Sequence, residues 1–82
     1  MVRILYFGRL SDVTGVAQED LTLPEDLTTT GELRAWLDTR FAATGALVEP
    51  SVRVALDSEF VFDQDPISAA REIAFMPPVG GG

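Results

Sequence analysis

The residues with the most pointed chemistry are the final seven, Met76-Pro77-Pro78-Val79-Gly80-Gly81-Gly82. Proline has a fixed φ and no amide hydrogen, so Pro77 and Pro78 must release the chain from any strand closing at Met76. Glycine has no Cβ, and Gly80, Gly81 and Gly82 therefore fit a channel that would exclude every other residue. Extended at ~3.3 Å per residue, the segment beyond Met76 carries the Gly82 carboxylate roughly 20 Å from the globule. The expectation is an extended tail over residues 77–82 whose working group is the terminal acyl group of Gly82. An inert linker or interaction module is the competing reading of a glycine-rich end. A phosphate-cradling loop does not fit, because such loops open into a helix N-terminus.

The remaining composition narrows the chemistry. Histidine and cysteine are both absent from the 82 residues. The usual general base, thiol nucleophile and soft metal ligands are therefore missing, leaving carboxylates, hydroxyls and arginine. No pair of carboxylates has the spacing of a shared site, so a carrier or adaptor is expected rather than a self-sufficient enzyme, with no cofactor or metal bound by this chain. Net charge is −7 and all six basic residues are arginine. An acidic surface repels nucleic acid and anionic membranes and is drawn to basic protein surfaces. Without lysine, the chain offers no side-chain amine to its own activated terminus. No apolar run approaches the ~20 residues of a membrane span and no charged-then-apolar leader is present, so a soluble cytoplasmic protein is expected.

The elements that must position the tail follow from the pattern of the chain. Val2 to Phe7 is rich in β-formers with little alternation, which predicts a central strand buried on both faces, Val2, Ile4 and Tyr6 toward the core and Arg3, Leu5 and Phe7 on the less buried side. Arg9 to Thr14 has the spacing of a short helical turn closed by Gly15. Gln18 to Leu23 is a second strand, stopped by Pro24. Thr29-x-x-Glu32 is a capping box, and Leu33, Trp36, Leu37 and Phe41 form one apolar stripe, predicting the main helix, ended near Gly45. On that stripe Trp36 packs rather than presenting a ligand platform. Ser51 to Leu56 and Glu59 to Phe62 are strands joined at Asp57-Ser58. Ile67 to Ala70 has room for one tight helical turn, and Ile73 to Met76 is the last strand. One helix on one face of a mixed sheet in this order is an α+β β-grasp, the ubiquitin-like architecture, as a single domain over residues 1–82. On strand parity, Phe7, Phe60 and Met76 fall on the face opposite the helix and are the candidates for a partner interface.

At this point the sequence resembles the small subunit of molybdopterin synthase, a ubiquitin-like sulfur carrier family. The resemblance runs from Val2-Arg3-Ile4-Leu5-Tyr6-Phe7-Gly8, through Gly15 and Leu33-Arg34, to Phe62-Asp63-x-x-Pro66-Ile67 and Glu72-Ile73-Ala74-Phe75-Met76-Pro77-Pro78-Val79-Gly80-Gly81-Gly82. Two departures stand out: Ala69-Ala70-Arg71 replaces a polar turn, and Asp57 stands where the family has asparagine. The resemblance implies that Gly82 is adenylated by an ATP-dependent activating enzyme, is converted to a thiocarboxylate by a sulfur donor protein, and is threaded, with Pro77, Pro78, Val79, Gly80 and Gly81, into the large synthase subunit. There, sulfur is delivered to cyclic pyranopterin monophosphate in a heterotetramer of two small and two large subunits. The rival readings are a sulfur carrier for thiazole or cysteine synthesis and a ubiquitin-like modifier of target lysines.

Overall fold

The computed structural model describes residues 1–78. Along the chain come β1 (Val2–Tyr6), α1 (Leu10–Thr14), β2 (Gln18–Leu21), α2 (Thr30–Arg40), β3 (Arg53–Leu56), β4 (Glu59–Val61) and β5 (Glu72–Met76). The five strands form one sheet in the order β2-β1-β5-β3-β4. β1 runs parallel to β5, while the β1–β2, β3–β4 and β3–β5 pairs are antiparallel. The parallel pair needs a long crossover, and residues 7–71 between its strands supply one that includes α2.

The core lies between one sheet face and α2. Ile4, Ile73 and Phe75 from the sheet and Leu33 and Leu37 from α2 are fully buried there with Leu10 and Leu47. The expectation that β1 is buried on both faces is corrected: Val2, Ile4 and Tyr6 are buried, but Arg3 is exposed and Leu5 only half-buried. Apolar Leu5 and Phe7 weaken the alternation in sequence although no layer covers their side of the sheet. Trp36 is half-buried against the core, as packing predicts.

A polar staple joins β1, β2 and α2. The Tyr6 hydroxyl donates to Glu19 Oε2 at 2.8 Å, and Arg40 Nη1 donates to the same oxygen at 2.9 Å. The Arg40 guanidinium also lies 4.8 Å from the Phe41 ring centre, and Phe41 meets Tyr6 edge to face. Burial, and then the hydrogen bond to the Glu19 carboxylate, push the Tyr6 hydroxyl well above its ordinary pKa. It remains a donor at any working pH.

The helix begins where its sequence says. Thr29 Oγ1 accepts from the Glu32 amide at 3.2 Å, and Glu32 Oε1 accepts from the Thr29 amide at 3.0 Å, completing the capping box. Hydrogen bonds from the Thr28 amide, the Thr28 hydroxyl and the Thr29 amide hold the Glu32 carboxyl below its usual pKa. A lowered carboxyl pKa means that this cap contributes its full stability above the ordinary carboxylate pKa and is lost as pH falls through the lowered value.

Its end comes earlier than Gly45. Phe41 caps the last turn, Ala42 takes φ 50°, and the Ala42 and Ala43 amides donate back to the Thr39 and Asp38 carbonyls. This is a Schellman closure with alanine in the left-handed place usually held by glycine. Gly45, at φ 95°, instead lies in the following loop, where its amide and that of Leu47 donate to the Asp38 carboxylate.

Arg34 ties that loop down from inside. Its Nε donates to the Leu47 carbonyl at 2.8 Å and Nη2 to the Glu49 carbonyl at 2.6 Å. Nη1 pairs with Asp63 Oδ1 at 3.0 Å, reaching the loop after β4. The side chain is almost wholly buried, in contrast to the mostly exposed Asp63.

Strand ends differ from the sequence expectations for local reasons. β2 stops at Leu21 because that residue already pairs with Val2, the first of β1. β3 begins at Arg53, as the Val52 amide closes a turn onto the Glu49 carbonyl. β4 stops at Val61, since the Phe62 amide turns to the Asp65 carboxylate at 2.7 Å. β5 gains Glu72, which pairs with Arg3. Asp57 and Ser58 carry φ 48° and 74°, the two left-handed residues of a tight hairpin. Instead of a helical turn, residues 67–70 make a turn with Ala69 at φ 65° and the Ala70 amide on the Ile67 carbonyl. Alanine in that conformation costs ~1 kcal/mol relative to glycine.

Candidate docking face and tail root

β5 is the middle strand, and the segment from Pro77 onward leaves from its C-terminal end. The Phe7 amide donates to the Phe75 carbonyl at 3.0 Å and extends the β1–β5 ladder up to the point of exit. Gly8 follows with φ 55°, and a Cβ built on it would lie 3.0 Å from Cγ of Pro77. The turn after β1 and the first proline therefore interlock through a missing side chain. Gly8→Ala is expected to lower stability by ~1–3 kcal/mol, from the left-handed backbone and the contact together. Urea unfolding measures it, and an unchanged midpoint would show that Gly8 does not seat the tail root.

Residues on the uncovered sheet face can be followed across the strands by register. In the middle row Gln18 faces Leu5, Leu5 faces Ala74, Ala74 faces Ala55, and Ala55 faces Phe60. At the tail end Met76 faces Arg53. At the opposite end Asp20, Arg3 and Glu72 stand in line, with an Arg3–Asp20 ion pair at 3.3 Å. Asp57 lies beside them, its carboxylate accepting the Arg71 and Glu72 amides.

The three interface candidates come together on this face. Phe7 is 48% exposed, Phe60 59%, and Met76 half-buried. None belongs to the core; the small side chains of Ala55 and Ala74 between them make a shallow apolar saddle. Such a contiguous uncovered surface marks an interaction site more often than chance. Beside it, Ser51, Arg53, Phe60, Met76, Pro77 and Pro78 line a groove of about 320 Å³. Pro77 is half-buried and Pro78 exposed, while Val79, Gly80, Gly81 and Gly82 lie outside the described residues.

A larger groove, about 650 Å³, opens between Leu23, Leu27, Pro66 and Ala69. It sits by Val2, at the start of β1, whereas the tail leaves beyond the end of the parallel β5, so size does not make it the site of the tail chemistry. Gly8 and Arg34 are the positioning residues whose contacts sequence reasoning missed. A glycine directly after a strand was a signal for the first. Among the described residues, no helix is long and apolar enough to cross a membrane.

A mixed five-stranded sheet, with its parallel pair at β1 and β5 and one long helix on a single face, is a ubiquitin-like β-grasp. The model of the ThiS family matches residues 4–82, and the chain belongs to that family. It is 29% identical over 85 residues to the human molybdopterin synthase sulfur carrier subunit, covering 99% of this chain and 93% of that protein. SAMP1 from Haloferax volcanii shares the fold with a TM-score of 0.78 at 23% identity, over 99% of this chain and 98% of that one. A molybdopterin converting factor, subunit 1, from Pyrococcus furiosus gives 0.77 at 21% identity, over 95% and 97%.

Proposed function

We propose that this chain is the sulfur carrier subunit of a molybdopterin synthase. The observation that carries the reading is the junction of two features: a Pro-Pro-Val-Gly-Gly-Gly segment rooted at the end of the middle strand, and an uncovered apolar face beside that root. The near full-length similarity to a sulfur carrier subunit supports it.

The chemistry begins from a carboxylate that is ionised at neutral pH and a poor electrophile, with a reference pKa of roughly 3.5. A partner enzyme must activate it. A Gly82 carboxylate oxygen attacks the α-phosphorus of ATP, pyrophosphate leaves, and the acyl-adenylate results. The terminal sulfur of a donor protein's persulfide then displaces AMP at the carbonyl carbon, and a thiol of the donor side cleaves the resulting acyl disulfide, leaving the thiocarboxylate and a donor disulfide. The large subunit accepts Val79, Gly80, Gly81 and Gly82 behind the Pro77-Pro78 root, and two charged carriers in succession each pass one sulfur to cyclic pyranopterin monophosphate, building the dithiolene and leaving each Gly82 again as a carboxylate. Catalytic groups sit on the partners, which accords with a chain lacking histidine and cysteine.

Ordering each tail residue costs ~1–2 kcal/mol, so threading opposes binding by several kcal/mol. Proline stiffness at the root reduces that cost, and burial of the apolar saddle at ~25 cal/mol per Å² offsets the rest. Phe7→Arg should accordingly weaken large-subunit binding by ~10-fold or more while the free domain stays folded, because Phe7 is already half exposed. Unchanged affinity in a titration would remove Phe7 from the interface.

The reading itself is tested by intact mass after incubation with ATP, the activating enzyme and a sulfur source. Replacement of one oxygen by one sulfur at Gly82 is the expected product. A conjugate to a target lysine with no sulfur-bearing chain would make the protein a modifier, and a charged chain that fails to convert the pterin precursor would make it the carrier of another pathway.

A further inference from the structure

Three arginines have a carboxylate partner among the described residues: Arg3, Arg34 and Arg40. Arg9, Arg53 and Arg71 have none among those residues, and of these Arg53 lines the groove at the tail root. Its position is nonetheless defined. It faces Met76 across the β3–β5 ladder, and its guanidinium carbon lies 4.7 Å from the Phe60 ring centre. Stacking occupies the flat side of the guanidinium and leaves its N–H edge for an acceptor. Arg53 lines the groove shared with Met76, Pro77 and Pro78, at the root of the tail.

The sign of the charge is opposite to that of the molecule as a whole. On the same sheet face the far row carries Asp20, Glu72 and Asp57 against Arg3 alone, whereas the tail row carries Arg53 amid apolar side chains. An approaching basic surface would be attracted at the far row and repelled at the tail root. A surface with an acidic group at the tail entrance would be seated in one rotational setting about the tail.

We infer that Arg53 is a specificity residue that receives an aspartate or glutamate of the protein accepting the tail. The inference rests on the proposed function and takes the large synthase subunit as that protein. Its carboxylate meets the Arg53 edge in the groove, where a planar, two-pronged guanidinium–carboxylate pair forms partly out of water. Docking thereby couples entry of the tail to one orientation of the carrier.

The test is calorimetric titration of the large subunit into the wild-type chain and into Arg53→Glu, Arg53→Lys and Phe7→Arg, each checked for folding by circular dichroism. Arg53→Glu should weaken binding by at least ~30-fold, since it sets like charges against each other in a desolvated contact. Arg53→Lys should recover part of the affinity, because it keeps the charge and loses the fork. A parallel titration uses chains lacking residues 79–82. If the Arg53→Glu effect vanishes in that background, the guanidinium serves this chain's own terminal carboxylate and the inference is overturned. If Arg53→Glu binds like wild type while Phe7→Arg is weakened, docking stands and the role of Arg53 falls. Absence of binding by the wild-type chain sinks the proposed function, and this inference with it.

Discussion

Removal of Gly82 is expected to abolish sulfur transfer while leaving the melting temperature unchanged. One residue of extended chain is ~3.3–3.6 Å, so the truncated end presents its carboxylate short of the reacting position by that distance. Near-attack geometry requires reacting atoms ~3–3.5 Å apart, and a displacement of 1 Å already costs ~100-fold in rate. The loss should therefore exceed ~100-fold in single-turnover conversion of the pterin precursor. Among the described residues, the last core side chain is Phe75 and the last ladder residue Met76. A truncated chain with full activity would refute the tail mechanism. One that lost activity and also unfolded would contradict the placement of stability in residues 1–76.

Arg34→Ala should destabilise the domain by ~3–5 kcal/mol, the scale seen when one partner of a buried charged network is removed. The arginine satisfies the Leu47 and Glu49 carbonyls and reaches Asp63, so its loss frees two loops at once. The pair with Asp63 contributes least, because that carboxylate is mostly in water. The two short bonds to carbonyls and the filled volume contribute most. For a domain of this size the melting temperature should fall by roughly 12–40 °C. Arg34→Lys should restore little, since one ammonium cannot reach three acceptors in three directions. A shift of only a few degrees for Arg34→Ala would show that the loops hold themselves. In that case the Asp38 carboxylate, which accepts the Gly45 and Leu47 amides, would be the sufficient anchor.

Several features of the molecule were legible in the residue order. The capping box at Thr29 and Glu32 depends on residues three apart, and it forms as written. Parity along β1 placed Val2, Ile4 and Tyr6 on the core face, as found, because side chains alternate in any strand regardless of its neighbours. The short helix before Gly15 was equally local. Misreadings came where a non-local partner decides. The length of β2 is limited by the start of β1, and the length of β4 by the Asp65 carboxylate. The end of α2 was placed too late because Ala42, not a glycine, takes the left-handed position.

The sequence by itself determined the β-grasp, the core faces and the peculiar Gly-rich segment after Met76, since each follows from periodicity, capping or residue type along a short stretch. Only the tertiary structure decided that Gly8 interlocks with Pro77, that Arg34 joins two loops, and that Arg53 stands stacked on Phe60. Those relations join residues 13 to 69 positions apart, or set one side chain across a strand pair. A chain encodes them only through the register and crossover that bring distant atoms within van der Waals and hydrogen-bond range.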